Sequence, residues 1–126
     1  MVIQPETIQK LAVHGHRGSR GTHPENTLPA FQEAVASGAN VLELDLQLTA
    51  DDVPVVSHDP DLTPAHCLYR SGKTLDGPIA IRSLKAADLA QFECGALRQE
   101  RFPDQQLFQG LAILTLESFL QWWSAN

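Results

Sequence analysis

Hydrophobic and polar residues alternate strictly along positions 41–48, which predicts a β-strand. Four leucines share one face, namely Leu42, Leu44, Leu46 and Leu48, whereas Glu43 and Asp45 lie on the other. A second apolar run at 53–57 follows after a connection too short for a parallel crossover. We therefore predict an antiparallel hairpin. A turn centred between Asp51 and Asp52 places Asp45 opposite His58.

A helix is predicted upstream of this hairpin. Its apolar side chains recur at i, i+3 and i+7, at Leu28, Phe31 and Val35. Asn26 and Thr27 are favourable N-cap residues, and Gly38 is a favourable C-cap. The pattern predicts three helical turns between these caps.

A second helix is predicted at the end of the sequence, after a turn-rich stretch from residue 59 to residue 110. Thr115 can cap it, and its apolar stripe consists of Leu116, Phe119, Leu120 and Trp123. Trp122 lies off that stripe, so we expect it on an exposed surface.

The first apolar run, residues 11–13, predicts a short buried strand that ends in a glycine-rich loop. His14 then belongs to the strand as a hydrogen-bonded core histidine. His16 and Arg17 come where the strand meets the loop, a common place for active-site residues. Histidine moves protons near neutral pH, and the arginine fork suits phosphate oxygens.

Acidic residues are depleted in strands, so the presence of Glu43 and Asp45 on one strand face needs an explanation. Their carboxylates could converge on a hard cation, or they could simply face water. His58 ends the neighbouring strand and faces Asp45 in the predicted register. Glu117 lies in the first turn of the last helix, where interaction with the helix dipole would also explain it.

Composition narrows the class of protein. The 126 residues are 43% hydrophobic and 19% charged, which argues against disorder. A net charge of −6 counts against a nucleic-acid partner. No apolar run approaches the roughly 20 residues that span a membrane. The N-terminus lacks a secretory pattern, so we expect a cytoplasmic protein whose Cys67 and Cys94 are reduced, although a disulfide stays open.

Together these motifs resemble the glycerophosphodiester phosphodiesterase family. The matching segments, in order, are His16-Arg17-Gly18, Pro24-Glu25-Asn26-Thr27, Glu43-Leu44-Asp45, His58-Asp59 and Thr115-Leu116-Glu117. Two positions depart from the family pattern. Asp52 stands where the family has glycine, so a positive φ is expected there, and Leu114 stands where proline is usual.

The resemblance implies an α/β fold of the TIM-type (β/α) barrel, of which this chain holds the N-terminal part only. A small insertion follows the second barrel strand. The start of the barrel then covers residues 1–50, and the insertion, which begins with a hairpin arm, covers 51–110. Residues 111–126 return to the barrel as its second helix.

The resemblance also implies an activity, the hydrolysis of small-molecule glycerophosphodiesters to glycerol 3-phosphate and an alcohol. A divalent cation, Ca²⁺ or Mg²⁺, is the implied cofactor. The implied roles are general acid/base catalysis for His16 and His58, phosphate binding for Arg17, and cation ligation for Glu43, Asp45 and Glu117.

Length supports a competing hypothesis. A TIM barrel takes about 250 residues, whereas this chain has 126. The alternative is an inactive truncated fragment that at most binds a divalent cation. Unpaired barrel strands would also expose the leucines of 41–48, so we expect self-association through that edge.

Overall fold

The computed structural model describes residues 11–125. It contains two α-helices, α1 (Leu28–Ala36) and α2 (Leu116–Ala125). Its short strands are β1 (His14–His16), β2 (Val41–Glu43), β3 (Leu46–Leu48), β4 (Pro54–Val56), β5 (Asp61–Leu62), β6 (Leu68–Tyr69), β7 (Ile79–Ala80) and β8 (Phe92–Glu93). Two 3₁₀ helices span Ile81–Ser83 and Ala86–Gln91. The predicted absence of a secretory pattern concerns residues 1–10, outside the described residues.

The strands pair two by two. β1 and β2 are parallel and flank α1, whereas β3–β4, β5–β7 and β6–β8 are antiparallel pairs. These pairs form four separate two-stranded sheets, and no closed barrel is present within residues 11–125. None of the helices in the same range is long and apolar enough to cross a bilayer.

Helix α1 has the predicted limits. Thr27 is its N-cap in an extended conformation, and Gly38 follows its end with φ 102°. The buried residues are Ala30, Phe31 and Ala34, whereas Val35 is 43% exposed, against the prediction. The reason is close packing. A Cβ on Gly15 of β1 would lie 2.8 Å from the Cβ of Ala34, so α1 faces β1 through its alanines.

The predicted position of the first strand is wrong. The strand begins at His14, which is exposed, so His14 is not a core histidine. Leu11 and Val13 are 52% and 51% exposed. Within the described chain β1 has β2 as its one strand neighbour, which leaves these apolar side chains uncovered.

The single strand predicted for residues 41–48 is two strands, broken after Glu43. β2 pairs with β1, and β3 pairs with β4 on a different sheet, so the chain changes partners at positions 44 and 45. The alternation holds in the first half, where Leu42 and Leu44 pack on the core. In the second half Leu46 and Leu48 are 46% and 45% exposed.

The predicted hairpin is present, but its register differs by one residue. Leu48 faces Pro54, and Ser57 donates its backbone N–H to the carbonyl of Asp45, so Asp45 faces Ser57 rather than His58. Thr49 donates to the carbonyl of Val53 over 3.1 Å, which leaves a three-residue turn. Such turns usually place a left-handed residue last, and the expected positive φ at position 52 is confirmed at 61°.

Two apolar cores hold the chain together. One joins both helices to β4 through Phe31, Val56 and Phe119. The other joins β4 to the turn-rich stretch and consists of Val55, Leu62, Cys67, Leu75, Ile81, Leu89 and Phe92. Neighbouring positions 55 and 56 of β4 contribute to different cores, so this strand links the two.

Helix α2 begins as predicted, because the Thr115 hydroxyl accepts a hydrogen bond from the backbone N–H of Ser118 at 3.0 Å. Its buried face differs from the prediction. Phe119 is buried and Trp122 packs against the same core, whereas Leu120 and Trp123 are 50% and 45% exposed. Part of the predicted stripe therefore faces away from Phe31 and Val56.

Cys67 and Cys94 form a disulfide, so the expectation of reduced thiols is wrong. The cause is strand register. Leu68 of β6 pairs with Glu93 of β8 in an antiparallel sheet, which brings Cys67 opposite Cys94. Neither cysteine has a spacing that reveals this, because the two residues are 27 positions apart and the register depends on the whole insertion.

Candidate functional site

The candidate site begins in the loop after β1. Arg17 and Gly18 both take positive φ, 56° and 83°, which turns the chain sharply onto the start of α1. A Cβ on Gly18 would lie 2.7 Å from the backbone carbonyl carbon of Ala30. Ser19 donates its N–H to the carbonyl of Ala30 at 2.9 Å, which fastens the loop to the helix.

Arg17 lies among three carboxylates and is only 15% exposed in its side chain. Its Nη1 is 3.0 Å from Oε2 of Glu25, and its Nε is 3.6 Å from Oδ2 of Asp45. Its backbone N–H points to Glu43, with the side-chain Oε2 at 3.0 Å. The guanidinium is therefore held in place by charge, close to the acidic end of β2.

His16 lies beside Glu43 because the parallel register pairs the two residues across β1 and β2. The imidazole Nε2 is 3.7 Å from Oε2 of Glu43, and the histidine side chain is 57% exposed. The imidazole is thus open to solvent and to ligands. The structure brings together four of the six predicted site residues: His16, Arg17, Glu43 and Asp45.

Asn26 belongs to this group, although the sequence assigned it only a capping role that Thr27 performs. Its φ is 55°, and its backbone N–H donates to the carbonyl of Arg17 at 2.8 Å. Its side-chain Nδ2 donates to Oδ2 of Asp45 at 3.2 Å. The residue is 6% exposed, and its Oδ1 is a buried acceptor without a hydrogen-bond partner.

Glu25 is the other residue whose site contact the sequence did not predict. The contact between Arg17 and Glu25, eight residues apart, forms only when the loop folds. In the sequence, only the motif that contains Glu25 pointed to this residue.

His58 is connected to this group through a shared cavity. Its Nδ1 lies 2.8 Å from Oδ1 of Asp59, and its side chain is 46% exposed. It lines a cavity of about 60 Å³ together with Glu25 and Asn26. The predicted contact between His58 and Asp45 is not seen among the described residues. His58 instead shares this cavity with Glu25, which contacts Arg17, and with Asn26, which contacts Arg17 and Asp45.

Glu117 lies apart from these residues. It is exposed in the first turn of α2 and lines a wide surface groove with Asp52, Val53 and Pro54, near the turn of the hairpin. Among the described residues, neither His16, Arg17, Glu43 nor Asp45 lines this groove.

The donor atoms near β2 are of the type that divalent cations bind. Carboxylate and amide oxygens suit Ca²⁺ and Mg²⁺, and Glu43, Asp45 and the unpaired Oδ1 of Asn26 supply such atoms. Their present partners are Arg17 and Asn26, and no group of three acidic, histidine or cysteine side chains is poised around an ion within the described chain. The donor chemistry fits, and a cation bound at Oδ2 of Asp45 would compete there with Arg17 and Asn26.

Known proteins resemble this chain in sequence. The model of the glycerophosphoryl diester phosphodiesterase family matches residues 16–126. A glycerophosphodiester phosphodiesterase of Bacillus subtilis is 31% identical over 121 residues, which is 94% of this chain and 37% of that protein.

Solved structures share the fold. A crystal structure from Silicibacter pomeroyi, assigned to the glycerophosphoryl diester phosphodiesterases, superposes with a TM-score of 0.82 at 37% identity, over 88% of this chain and 39% of that one. An Oleispira antarctica phosphodiesterase in complex with the product sn-glycerol-3-phosphate has a TM-score of 0.69 at 30% identity, covering 91% and 40%. The chain thus spans about two-fifths of these proteins' lengths.

Proposed function

Because this chain belongs to the glycerophosphoryl diester phosphodiesterase family, we propose that it carries the phosphate-binding and acid/base part of a metal-dependent phosphodiesterase centre. The proposed reaction hydrolyses a glycerophosphodiester to glycerol 3-phosphate and an alcohol. The observation that carries the proposal is the convergence of one loop on one strand end, where His16 contacts Glu43 and Arg17 contacts Asp45.

The proposed architecture is the first part of a TIM-type barrel. The parallel unit β1–α1–β2 is its start, residues 51–110 are an insertion, and α2 is its second helix. Superposition on structures of the family over nine-tenths of the chain supports this assignment.

Two histidines share the proton transfers in the proposed mechanism. One takes the proton from the attacking glycerol hydroxyl as its oxygen bonds to phosphorus, and the other gives a proton to the alcohol oxygen as the ester bond breaks. Water then opens the resulting cyclic phosphate to glycerol 3-phosphate. A bound Ca²⁺ or Mg²⁺ would neutralise phosphate oxygens and polarise phosphorus. Glu43, Asp45 and Glu117 are the residues proposed to hold it.

Arg17 is proposed to bind a non-bridging phosphate oxygen as negative charge builds on it. Its guanidinium now contacts Glu25 and Asp45. A phosphate would replace part of those contacts with a charge-assisted pair of similar geometry. Capture of Asp45 by the cation would release the arginine from one carboxylate, so the two binding events favour each other.

The second candidate function is that of an inactive fragment that at most binds a divalent cation. The observation in its favour is that the chain spans about two-fifths of its relatives' length. Self-association through exposed apolar residues, including Leu46, Leu48 and Trp123, belongs to this candidate.

The cytoplasmic location stays a prediction. Disulfides persist mainly in oxidising compartments, so the bond between Cys67 and Cys94 weighs against it.

Release of glycerol 3-phosphate, followed by ³¹P NMR with Ca²⁺ or Mg²⁺ present, tests the proposal. We expect the wild-type chain to release it and His16→Ala to be at least about 100-fold slower, the usual contribution of an acid/base group. His14→Ala is the matched control, since His14 is an exposed histidine two residues away on the same strand. Equal rates for His16→Ala and the wild type would refute the catalytic role, and no release at all would favour the inactive fragment.

A further inference from the structure

The disulfide between Cys67 and Cys94 lies in the wall of the cavity that contains His58. Both cysteines line this cavity of about 60 Å³. Cys94 also lines an adjoining cavity of about 50 Å³. The chain has two cysteines in all, so any redox response of its thiols passes through this bond. The bond therefore lies where a change in it can reach a histidine to which proton transfer is assigned.

Cys94 is connected to the strand that precedes His58 through the segment 111–114, which we call the first wall. The N–H of Cys94 donates to the carbonyl of Leu111 at 3.0 Å. Three residues later the carbonyl of Leu114 accepts from the N–H of Val56 at 2.7 Å. Residues 112–114 line the cavity between these two hydrogen bonds. The first wall thus runs from the disulfide to the end of β4, two residues before His58.

Cys67 is connected to His58 through the segment 61–63, which we call the second wall. The N–H of Cys67 donates to the carbonyl of Thr63 at 2.9 Å, and residues 61–63 line the cavity. This wall contains β5 and begins shortly after Asp59, whose Oδ1 lies 2.8 Å from Nδ1 of His58. Cys67 is 5% exposed and packs in the same apolar core as Leu62. The second wall is therefore anchored at the disulfide and ends beside the histidine.

The disulfide is the covalent link between the two walls. The β6–β8 pair also joins them, but it is two residues long on each strand and is supported by the contact between the Tyr69 and Phe92 rings. A single short pair of strands is marginally stable by itself. Once the disulfide is broken, we expect the walls to exchange between a closed and an open arrangement.

We propose that the bond between Cys67 and Cys94 is a redox-sensitive positioning element for His58. In the oxidised chain the bond holds both walls and thereby the histidine between them. In the reduced chain the walls separate, and His58 loses its fixed position. The displacement of His58 does not depend on the proposed function, whereas its effect on turnover rests on that function.

The reaction that operates the switch is thiol–disulfide exchange with a dithiol reductant. A thiolate of the reductant attacks Sγ of Cys94, which is partly exposed, whereas Cys67 is buried. The bond between the two cysteines breaks, and the sulfur of Cys67 leaves and takes a proton. The second thiol of the reductant then displaces the sulfur of Cys94. The chain gains two electrons and two protons, and the reductant becomes a disulfide.

The imidazole NMR signals of the chain, recorded in buffers with different ratios of reduced to oxidised dithiothreitol, test the proposal without requiring catalysis. We expect the His58 signal to shift at the same ratio at which a thiol assay counts two free thiols, and to return on reoxidation. The signal of His14, which is exposed on β1 and does not line the cavity, should stay constant. Cys67→Ser/Cys94→Ser should show the reduced-type His58 signal at every ratio.

Turnover provides the second measurement. In the reduced chain kcat should fall at least about tenfold, because small displacements of a catalytic group are costly. KM should change by no more than about twofold, since Arg17 is not among the described residues that line the cavity.

Two results would overturn the positioning role. One is an unchanged His58 signal in a chain with two free thiols. The other is loss of the α1 amide signals together with that of His58, because the bond would then only hold the fold. A His58 shift without release of glycerol 3-phosphate in the oxidised chain would support the positioning role and count against the phosphodiesterase function alone.

Discussion

Asn26 donates its backbone N–H to the carbonyl of Arg17 at 2.8 Å, and both residues hold a left-handed backbone, with φ 55° and 56°. Left-handed residues other than glycine are costly and cluster at functional sites when surrounding contacts maintain them. Arg17 is held by ion pairs with Glu25 and Asp45, and the side-chain amide of Asn26 donates to the carboxylate of Asp45. The strained pair therefore sets the direction of the proposed phosphate-binding guanidinium.

Two replacements of Asn26 separate the contribution of its backbone conformation to stability from that of its side chain. Asn26→Gly loses the hydrogen bond to Asp45 but tolerates positive φ, whereas Asn26→Ala loses the bond and adds backbone strain. We expect Asn26→Ala to be less stable than Asn26→Gly by about 1 kcal/mol. Urea unfolding of both variants measures the difference, and Asn26→Ala being as stable as Asn26→Gly would show that the backbone is not strained.

Gly18→Ala should destabilise the loop that carries His16 and Arg17. The new methyl group meets the backbone of Ala30 at 2.7 Å, at a φ of 83° that alanine rarely adopts. A loss of about 2 kcal/mol is expected in thermal or urea unfolding. Gly21→Ala is the control, because a Cβ there meets nothing within 4 Å. Equal stability of the two variants would contradict the close approach of loop and helix.

Sequence patterns predicted the local elements well where the signal was local. The caps of α1 and α2 and the hairpin depend on a few neighbouring residues. The positive φ of Asp52 was expected from the family resemblance. The pairing of His16 with Glu43 also follows once β1 and β2 are parallel, because register then fixes which side chains meet.

Strand register, the disulfide and burial were predicted less well. The hairpin register changed by one residue because the turn holds three residues rather than an even number. The disulfide required the β6–β8 register. His14 and Val35 were misplaced because periodicity marks an apolar face and does not reveal whether another layer covers it.

Asp51 gives the hairpin turn a defined pH dependence. The hydroxyl of Thr49, and then the backbone N–H of Ala86, hold the pKa of the Asp51 carboxyl below its ordinary value of 3.8. A folded-state pKa below the unfolded value stabilises the fold fully above pH 3.8, and this stabilisation is lost as the pH falls through the folded pKa.

Asp51→Asn should therefore be less stable than the wild type at neutral pH, with a gap that narrows in acid. Denaturant unfolding between neutral pH and pH 3 measures the gap. Asp76→Asn, an exposed carboxylate in another turn, serves as control. A gap that stays constant with pH would exclude the Asp51 carboxylate as its source.

Reduction of the disulfide should destabilise the insertion. The bond closes a loop across 27 positions and joins the core through Cys67. We expect a loss of about 3 kcal/mol, seen as a lower unfolding temperature with dithiothreitol. The double variant Cys67→Ser/Cys94→Ser should unfold at one temperature with or without reductant. The disulfide would be refuted if the unfolding temperature of the wild type did not change with reductant and a thiol assay found two free thiols.

We propose that the acidic end of β2 holds a divalent cation for phosphodiester hydrolysis, and calorimetric titration of the chain with Ca²⁺ and Mg²⁺ tests this directly. We expect one binding event that weakens at least about tenfold in both Glu43→Gln and Asp45→Asn, since each removes a charged oxygen ligand. Asp104→Asn, an exposed carboxylate in the insertion, should bind as the wild type does. Cation affinity unchanged in Glu43→Gln and Asp45→Asn would contradict the account.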